Sequence, residues 1–140
     1  MIVLDTNVVS ETLRPTPSAQ VLSWLDANAP QTLYLTSITL AELRFGVAAL
    51  PAGRRKQGLH DVVENVLVPR FSGRILPFDE PASLAFAHLQ SSARTDGRAL
   101  PTMDALIAAI CRSRGFTLAT RNTRDFLGAG IPLIDPWAED

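Results

Sequence analysis

The sequence predicts an α/β fold built on a parallel sheet, and two observations carry that prediction. Ile2-Val3-Leu4 is a short apolar run of branched residues that stops at once on Asp5. Such a run is the pattern of a strand buried on both faces, as in the middle of a parallel sheet. Beyond it, short apolar runs alternate with amphipathic stretches of helical length, an order that implies a sheet of about five short strands with helices on both faces. There is no internal repeat, low-complexity segment or linker, so the 140 residues are expected to form a single domain, 1–140, large enough to bury a proper core.

Asp5 sets the frame. A carboxylate cannot continue a buried strand, because it would lack partners there. It is therefore expected at the carboxyl end of a central strand, the edge where open α/β sheets bind ligands. Asn7 is a good N-cap for a following helix that Pro15 and Pro17 interrupt. Ser18 to Asn28 carries Val21, Leu22, Trp24 and Leu25 at amphipathic helical spacing. Thr32 to Thr36 alternates as a short strand. Thr36 or Ser37 caps a helix through Val47, which Leu50-Pro51-Ala52-Gly53 breaks.

The basic turn Arg54-Arg55-Lys56 leads into a helix from about Gln57 to Val68, with Pro69 as its stop. Arg74 to Phe78 reads as a third strand. Asp79-Glu80-Pro81 opens a helix running to about Arg94, and a loop with Asp96 and Gly97 follows. Thr102 is placed to cap a strongly apolar helix, Met103 to Arg114, with Gly115 as its C-terminal stop. Phe116 to Ala119 and Ile131 to Ile134 complete the strands.

Composition sets limits. The net charge of -1 gives no global sign of nucleic-acid binding, so a claim of that kind must rest on a local patch. Twelve of the thirteen basic residues are Arg, the planar fork that binds phosphate bidentately; Lys56 is the exception. The single cysteine, Cys111, excludes an internal disulfide and a cysteine-based zinc cage, and its apolar helical setting marks a buried, inert thiol. His60 and His88 show no ligand spacing. Asp5 interrupts any leader-like run, and no apolar stretch reaches the ~20 residues of a membrane span. A cytoplasmic location without membrane association is the expectation.

Four carboxylates occupy unusual places. Asp5 ends a strand. Glu42 lies among Leu40, Ala41 and Leu43 early in a helix. Asp104 lies in the first turn of an otherwise apolar helix, and Asp125 follows a strand by a short polar loop. Each alone has an ordinary explanation, such as complementing a helix dipole. Gathered at one sheet edge, they would repel each other, and a cation is the natural compensation. An all-oxygen donor set suits Mg²⁺, with Mn²⁺ as the alternative, over zinc. Asp5 and Asp104 are the expected direct ligands, with Glu42 and Asp125 acting through water or on a second ion.

The pieces Val3-Leu4-Asp5-Thr6-Asn7, Leu40-Ala41-Glu42-Leu43-Arg44-Phe45-Gly46, Asp104-Ala105-Leu106-Ile107-Ala108-Ala109 and Ala119-Thr120-Arg121-Asn122-Thr123-Arg124-Asp125-Phe126 resemble the signature of PIN-domain ribonucleases. They are most similar to the VapC toxins of type II toxin–antitoxin pairs. Gly73 to Asp79 and the closing Asp135-Pro136-Trp137 resemble the FitB branch. The resemblance implies a PIN-domain-like α/β/α sandwich and metal-dependent endonucleolytic hydrolysis of RNA by Asp5, Glu42, Asp104 and Asp125. Thr6, Asn7 and Thr120 match supporting positions that orient the carboxylates.

The same resemblance implies a small cognate antitoxin lying in an apolar groove, a homodimer, and a larger toxin–antitoxin assembly on DNA. Val9, Leu13, Trp24 and Phe45 are candidate groove residues, although core packing is the default for each. Arg44, Arg121 and Arg124 flank the motif acids and are the candidate RNA contacts; Arg14 and Arg54-Arg55-Lys56 lie further off. Two rivals stand beside this reading. An aspartyl-nucleophile phosphatase needs a second Asp two positions after the first, where this chain has Asn7. A catalytically weak PIN-like module would bind nucleic acid or a partner without cleaving.

Overall fold

The computed structural model describes residues 1–139. Five parallel strands form one sheet: β1 (Ile2–Leu4), β2 (Leu33–Thr36), β3 (Ile75–Leu76), β4 (Thr117–Ala119) and β5 (Leu133–Ile134), in the order β3-β2-β1-β4-β5. The helices are α1 (Thr6–Thr12), α2 (Ala19–Asp26), α3 (Ser37–Ala48), α4 (Arg54–Val62), α5 (Val68–Arg70), α6 (Glu80–Thr95) and α7 (Thr102–Arg114). With β1 central, the chain first builds outward through β2 and β3, then crosses to add β4 and β5. The reversal lies between β1 and β4, the switch point at which such sheets open a ligand crevice.

The strand pleat divides the core in two. Val3 and Leu118 point to a face covered by Leu89 and Ala93 of α6 and by Ile107, Ala108, Ile110 and Cys111 of α7. Leu4, Leu33, Leu35 and Ala119 point to the other, against Val8, Val9, Val21, Leu43 and Phe71. Alternate residues of one strand thus feed opposite layers. Each fully buried branched side chain stabilises by roughly 1.5–3 kcal/mol relative to exposure. Cys111 is buried in the α7 layer, and its burial pushes the thiol pKa well up.

Several boundaries differ from the sequence expectation. Asp5, not Asn7, is the N-cap of α1, because its carboxylate reaches the Thr6 N–H at 2.8 Å while Asn7 is already helical. The helix expected from Gln57 begins at Arg54 and does not stop at Pro69. It passes through a π-helical stretch, Val63–Leu67, in which the Val68 N–H reaches back to the Val63 carbonyl, and ends with α5. Pro69 lacks an N–H and would crowd the carbonyl four residues back, and the widened turn before it relieves both demands. Thr102 is the first residue of α7 and caps nothing, the cap position being Pro101. The third, fourth and fifth strands are shorter than their apolar runs, since little of each finds a paired neighbour.

Two turns place the site. Thr36 ends β2 and caps α3, its hydroxyl accepting from the Thr39 N–H at 3.1 Å. At the far side Gly115 adopts φ 69° and closes α7, with Phe116 N–H bonded to the Cys111 carbonyl. That left-handed position favours glycine. It sends the chain straight into β4, so the C-terminus of α7 lies at the amino edge of the sheet. The 13 residues of the helix span roughly 20 Å and return Asp104 to the carboxyl edge.

Candidate active site

Asp5 is the first residue beyond β1 and is 4 % exposed. Because Leu4 pairs with Ala119, the residues that follow each strand end, Asp5 and Thr120, fall side by side. The Thr120 hydroxyl donates to Asp5 Oδ2 at 2.7 Å, and the Thr6 N–H donates to Oδ1. Asn7 Nδ2 lies 3.5 Å from Oδ2, and its Oδ1 accepts from the Arg121 N–H at 3.3 Å, tying the loop after β4 to α1. Burial pushes the Asp5 pKa up; the bonds from Thr120 and Thr6 pull it back, and the charge of Glu42 pushes it up again.

Glu42 lies on α3, where Thr6 Oγ1 donates to its Oε1 at 2.8 Å. The Thr39 hydroxyl lies 3.1 Å from that of Thr6. Asp104 is half-buried, and its pKa rises to about 6, first through desolvation and then through the charges of Asp5, Glu42 and Asp125. Asp125 is exposed on a 3₁₀ turn, Thr123–Phe126, that buried Phe126 anchors in the core. The tertiary structure therefore sets all four acids in one electrostatic neighbourhood. Among the described residues none of the four has a salt-bridge partner, and no three carboxylate, imidazole or thiolate groups gather closely enough to hold a metal ion by themselves.

The candidate arginines have separate fates. Arg44 turns away to a bidentate pair with Glu64, at 2.7 and 2.9 Å, so a phosphate there would have to compete with a carboxylate. Arg121 stacks over the Trp137 ring at 5.1 Å. Arg124 is exposed on the turn beside Asp125.

Sequence reasoning missed Thr39 and the stacking role of Trp137. The signal for Thr39 is its spacing: three residues before Glu42, it shares that residue's helix face. Trp137 stands in the closing motif Asp135-Pro136-Trp137, but nothing in the sequence signals its stacking, because only the fold of the closing loop brings it under Arg121.

An apolar groove of about 520 Å³ opens beside Thr6 and Glu42, lined also by Leu13, Leu43, Val47, Leu50 and Leu59, with Arg14 and Arg55 at its rim. Of the four candidate groove residues, Leu13 lines it. Val9 is 3 % exposed and Trp24 packs against the same core, while Phe45 stands 76 % exposed.

The PIN-domain family model matches residues 2–130. Toxin FitB of Neisseria gonorrhoeae is 46 % identical over 137 residues, 98 % of this chain and 99 % of that protein. VapC ribonuclease Y4jK of Sinorhizobium fredii is 47 % identical over 137 residues, 98 % of each. A solved structure of FitAB bound to an IR36 DNA fragment superposes with a TM-score of 0.96 at 44 % identity, covering 100 % of this chain and 98 % of the other.

Proposed function

The chain belongs to the PIN-domain family, and from that premise we propose that residues 1–140 act as one PIN domain, an endoribonuclease serving as the toxin of a type II toxin–antitoxin pair. The observation that carries this reading is the gathering of Asp5, Glu42, Asp104 and Asp125 at one sheet edge, close enough that the other three charges add to burial in raising the Asp104 carboxyl, while among the described residues no Arg or Lys pairs with any of the four. Uncompensated negative charge at the switch point of a parallel sheet suits a hard divalent cation.

The donor set fits Mg²⁺, with Mn²⁺ as a substitute. Every donor is an oxygen, and Mg²⁺ keeps several waters while taking only one or two carboxylates directly, so three converging side chains are not required. Asp5 and Asp104 would hold the ion directly, and Glu42 and Asp125 through water. Bound there, the ion supplies positive charge at the phosphate and a nucleophilic water at neutral pH.

The chain's own residues do the positioning. Thr120 and the Thr6 amide fix both oxygens of Asp5, Asn7 ties that carboxylate to the β4 loop, and the Thr6 hydroxyl holds Glu42. Arg121, flattened on Trp137, and Arg124 beside Asp125 present guanidinium groups to the RNA backbone. The apolar groove beside Glu42 receives a segment of the small cognate antitoxin, and the toxin works as a homodimer within a larger toxin–antitoxin assembly on DNA.

The experiment is incubation of the purified chain with RNA, with Mg²⁺ or Mn²⁺ and with chelator, followed by sequencing of the ends. Metal-dependent internal cleavage is expected. Binding of RNA without cleavage under both ions would instead select a catalytically weak binding module.

A further inference from the structure

We propose that Thr39 is a positioning residue for Glu42, acting through the Thr6 hydroxyl; the proposal rests on the metal-dependent nuclease reading above. The argument starts from one hydrogen. A hydroxyl donates once. Thr6 Oγ1 donates to Glu42 Oε1 at 2.8 Å, and this uses its one hydrogen. With that hydrogen on Glu42, Thr6 can only accept in the 3.1 Å contact between the two hydroxyls, which assigns the donor there to Thr39. The result is a directed chain, Thr39 to Thr6 to Glu42, in which each bond strengthens the next.

The surroundings hold this chain in place. Thr39 and Thr36 are both 0 % exposed. The Thr39 amide is bonded to the Thr36 hydroxyl, which locks the first turn of α3 and with it the Thr39 backbone. A helical Ser or Thr can turn its hydroxyl back on a carbonyl three or four residues earlier. Thr12, Ser83, Thr95 and Ser113 do so here. Thr39 instead reaches across to α1, 33 residues away in sequence. Glu42 follows it by three positions on the same helix face, so both meet Thr6.

The test compares Thr39→Val, which removes the hydroxyl and keeps the shape, with Thr39→Ser, which keeps the hydroxyl. Mn²⁺ affinity by calorimetry, kcat and KM for RNA, and thermal midpoint are measured on the full chain. Glu42 meets the ion through water, so this hydroxyl chain is an outer support of the metal site. Loss of such support typically costs 10- to 100-fold in metal affinity or activity, and about 10-fold is expected for Thr39→Val in Mn²⁺ affinity and kcat, with KM little changed. Thr39→Ser restores both. Wild-type Mn²⁺ affinity in a folded Thr39→Val protein overturns the proposal, as does a Ser variant impaired as much as the Val variant. If Thr39→Val does not fold, Thr39→Cys replaces it, a weak donor of similar size expected to bind Mn²⁺ less tightly than the Ser variant, and wild-type Mn²⁺ affinity there overturns the proposal equally. A wild-type chain that binds Mn²⁺ but cleaves no RNA refutes the nuclease reading, while the Mn²⁺ titrations still decide the role of Thr39.

Discussion

The Thr120 hydroxyl donates a 2.7 Å hydrogen bond to Asp5 Oδ2 across 115 residues of sequence. The pair joins the ends of the two strands that flank the switch point, and the bond is fully buried on the Thr120 side. It holds one oxygen of this buried acid in a fixed direction, and among the described residues no Arg or Lys pairs with the carboxylate. Removal of that charge, its compensation by a cation and the titration of its neighbour Asp104 each have a measurable consequence.

Asp5→Asn is expected to abolish RNA cleavage and toxicity in cells while the protein stays folded. Asn retains an oxygen for the Thr6 N–H, so the α1 cap survives. Its neutral amide carries no desolvated charge, so the metal-free melting temperature stays level or rises. A folded Asp5→Asn protein that cleaves near the wild-type rate would remove Asp5 from the site.

Mg²⁺ is expected to raise the melting temperature of the wild type by mass action, since it binds the folded chain alone. Chelation alone should leave the apo fold intact, because the clustered acids gain nothing from one another. Asp104→Asn should blunt the Mg²⁺-dependent rise. An equal rise in wild type and variant would show that Asp104 is not a main ligand.

Asp104 also makes apo stability depend on pH, and the sign follows from the direction of its shift. Its folded pKa of about 6 lies above the ordinary 3.8, so between those values the folded state holds the proton more tightly than the unfolded state. This contribution is fully present below 3.8 and is lost as pH rises through about 6. Because the group is half-buried and screened by solvent, the loss should be on the order of 1 kcal/mol. Urea unfolding of metal-free wild type and Asp104→Asn across pH 4–7 (roughly the window of the shift) should show the wild type losing ground to the variant. A constant difference would contradict the assignment.

Replacing Arg121 and Arg124 together by Ala should weaken RNA affinity and flatten its salt dependence, by about one unit of slope or less for each phosphate no longer neutralised. Metal affinity should hardly change. The measurement is RNA affinity against salt in the catalytically dead Asp5→Asn background. An unchanged slope would move the RNA path toward Arg14 and Arg55 at the rim of the groove beside Glu42.

Much of the fold and of the site was legible in the chain alone. Ile2-Val3-Leu4 could form only a buried strand, and Asp5 could only stand at its end, because burial forbids an unpartnered charge within it. The apolar run of α7 with one acid near its start, and Gly115 at its close, follow from periodicity and from glycine's freedom at positive φ. The motif acids were visible because each breaks the local pattern around it.

Other features had no local trace. Pro69 reads as a helix stop in sequence, yet a π-helical turn carries the helix past it. Asp5 caps α1 where the sequence pointed to Asn7, because the strand end sets which side chain faces the first amide. Arg44 adjoins a motif acid in sequence but pairs with Glu64 on a neighbouring helix. Thr120 meets Asp5 only because β1 and β4 pair in one register, and Thr39 meets Thr6 only because α3 turns that face toward α1. Sequence by itself determined which residues could not be ordinary core or surface, since that depends on pattern and solvation. The tertiary structure alone decided which of them touch, since register and helix rotation arise from packing between segments tens of residues apart.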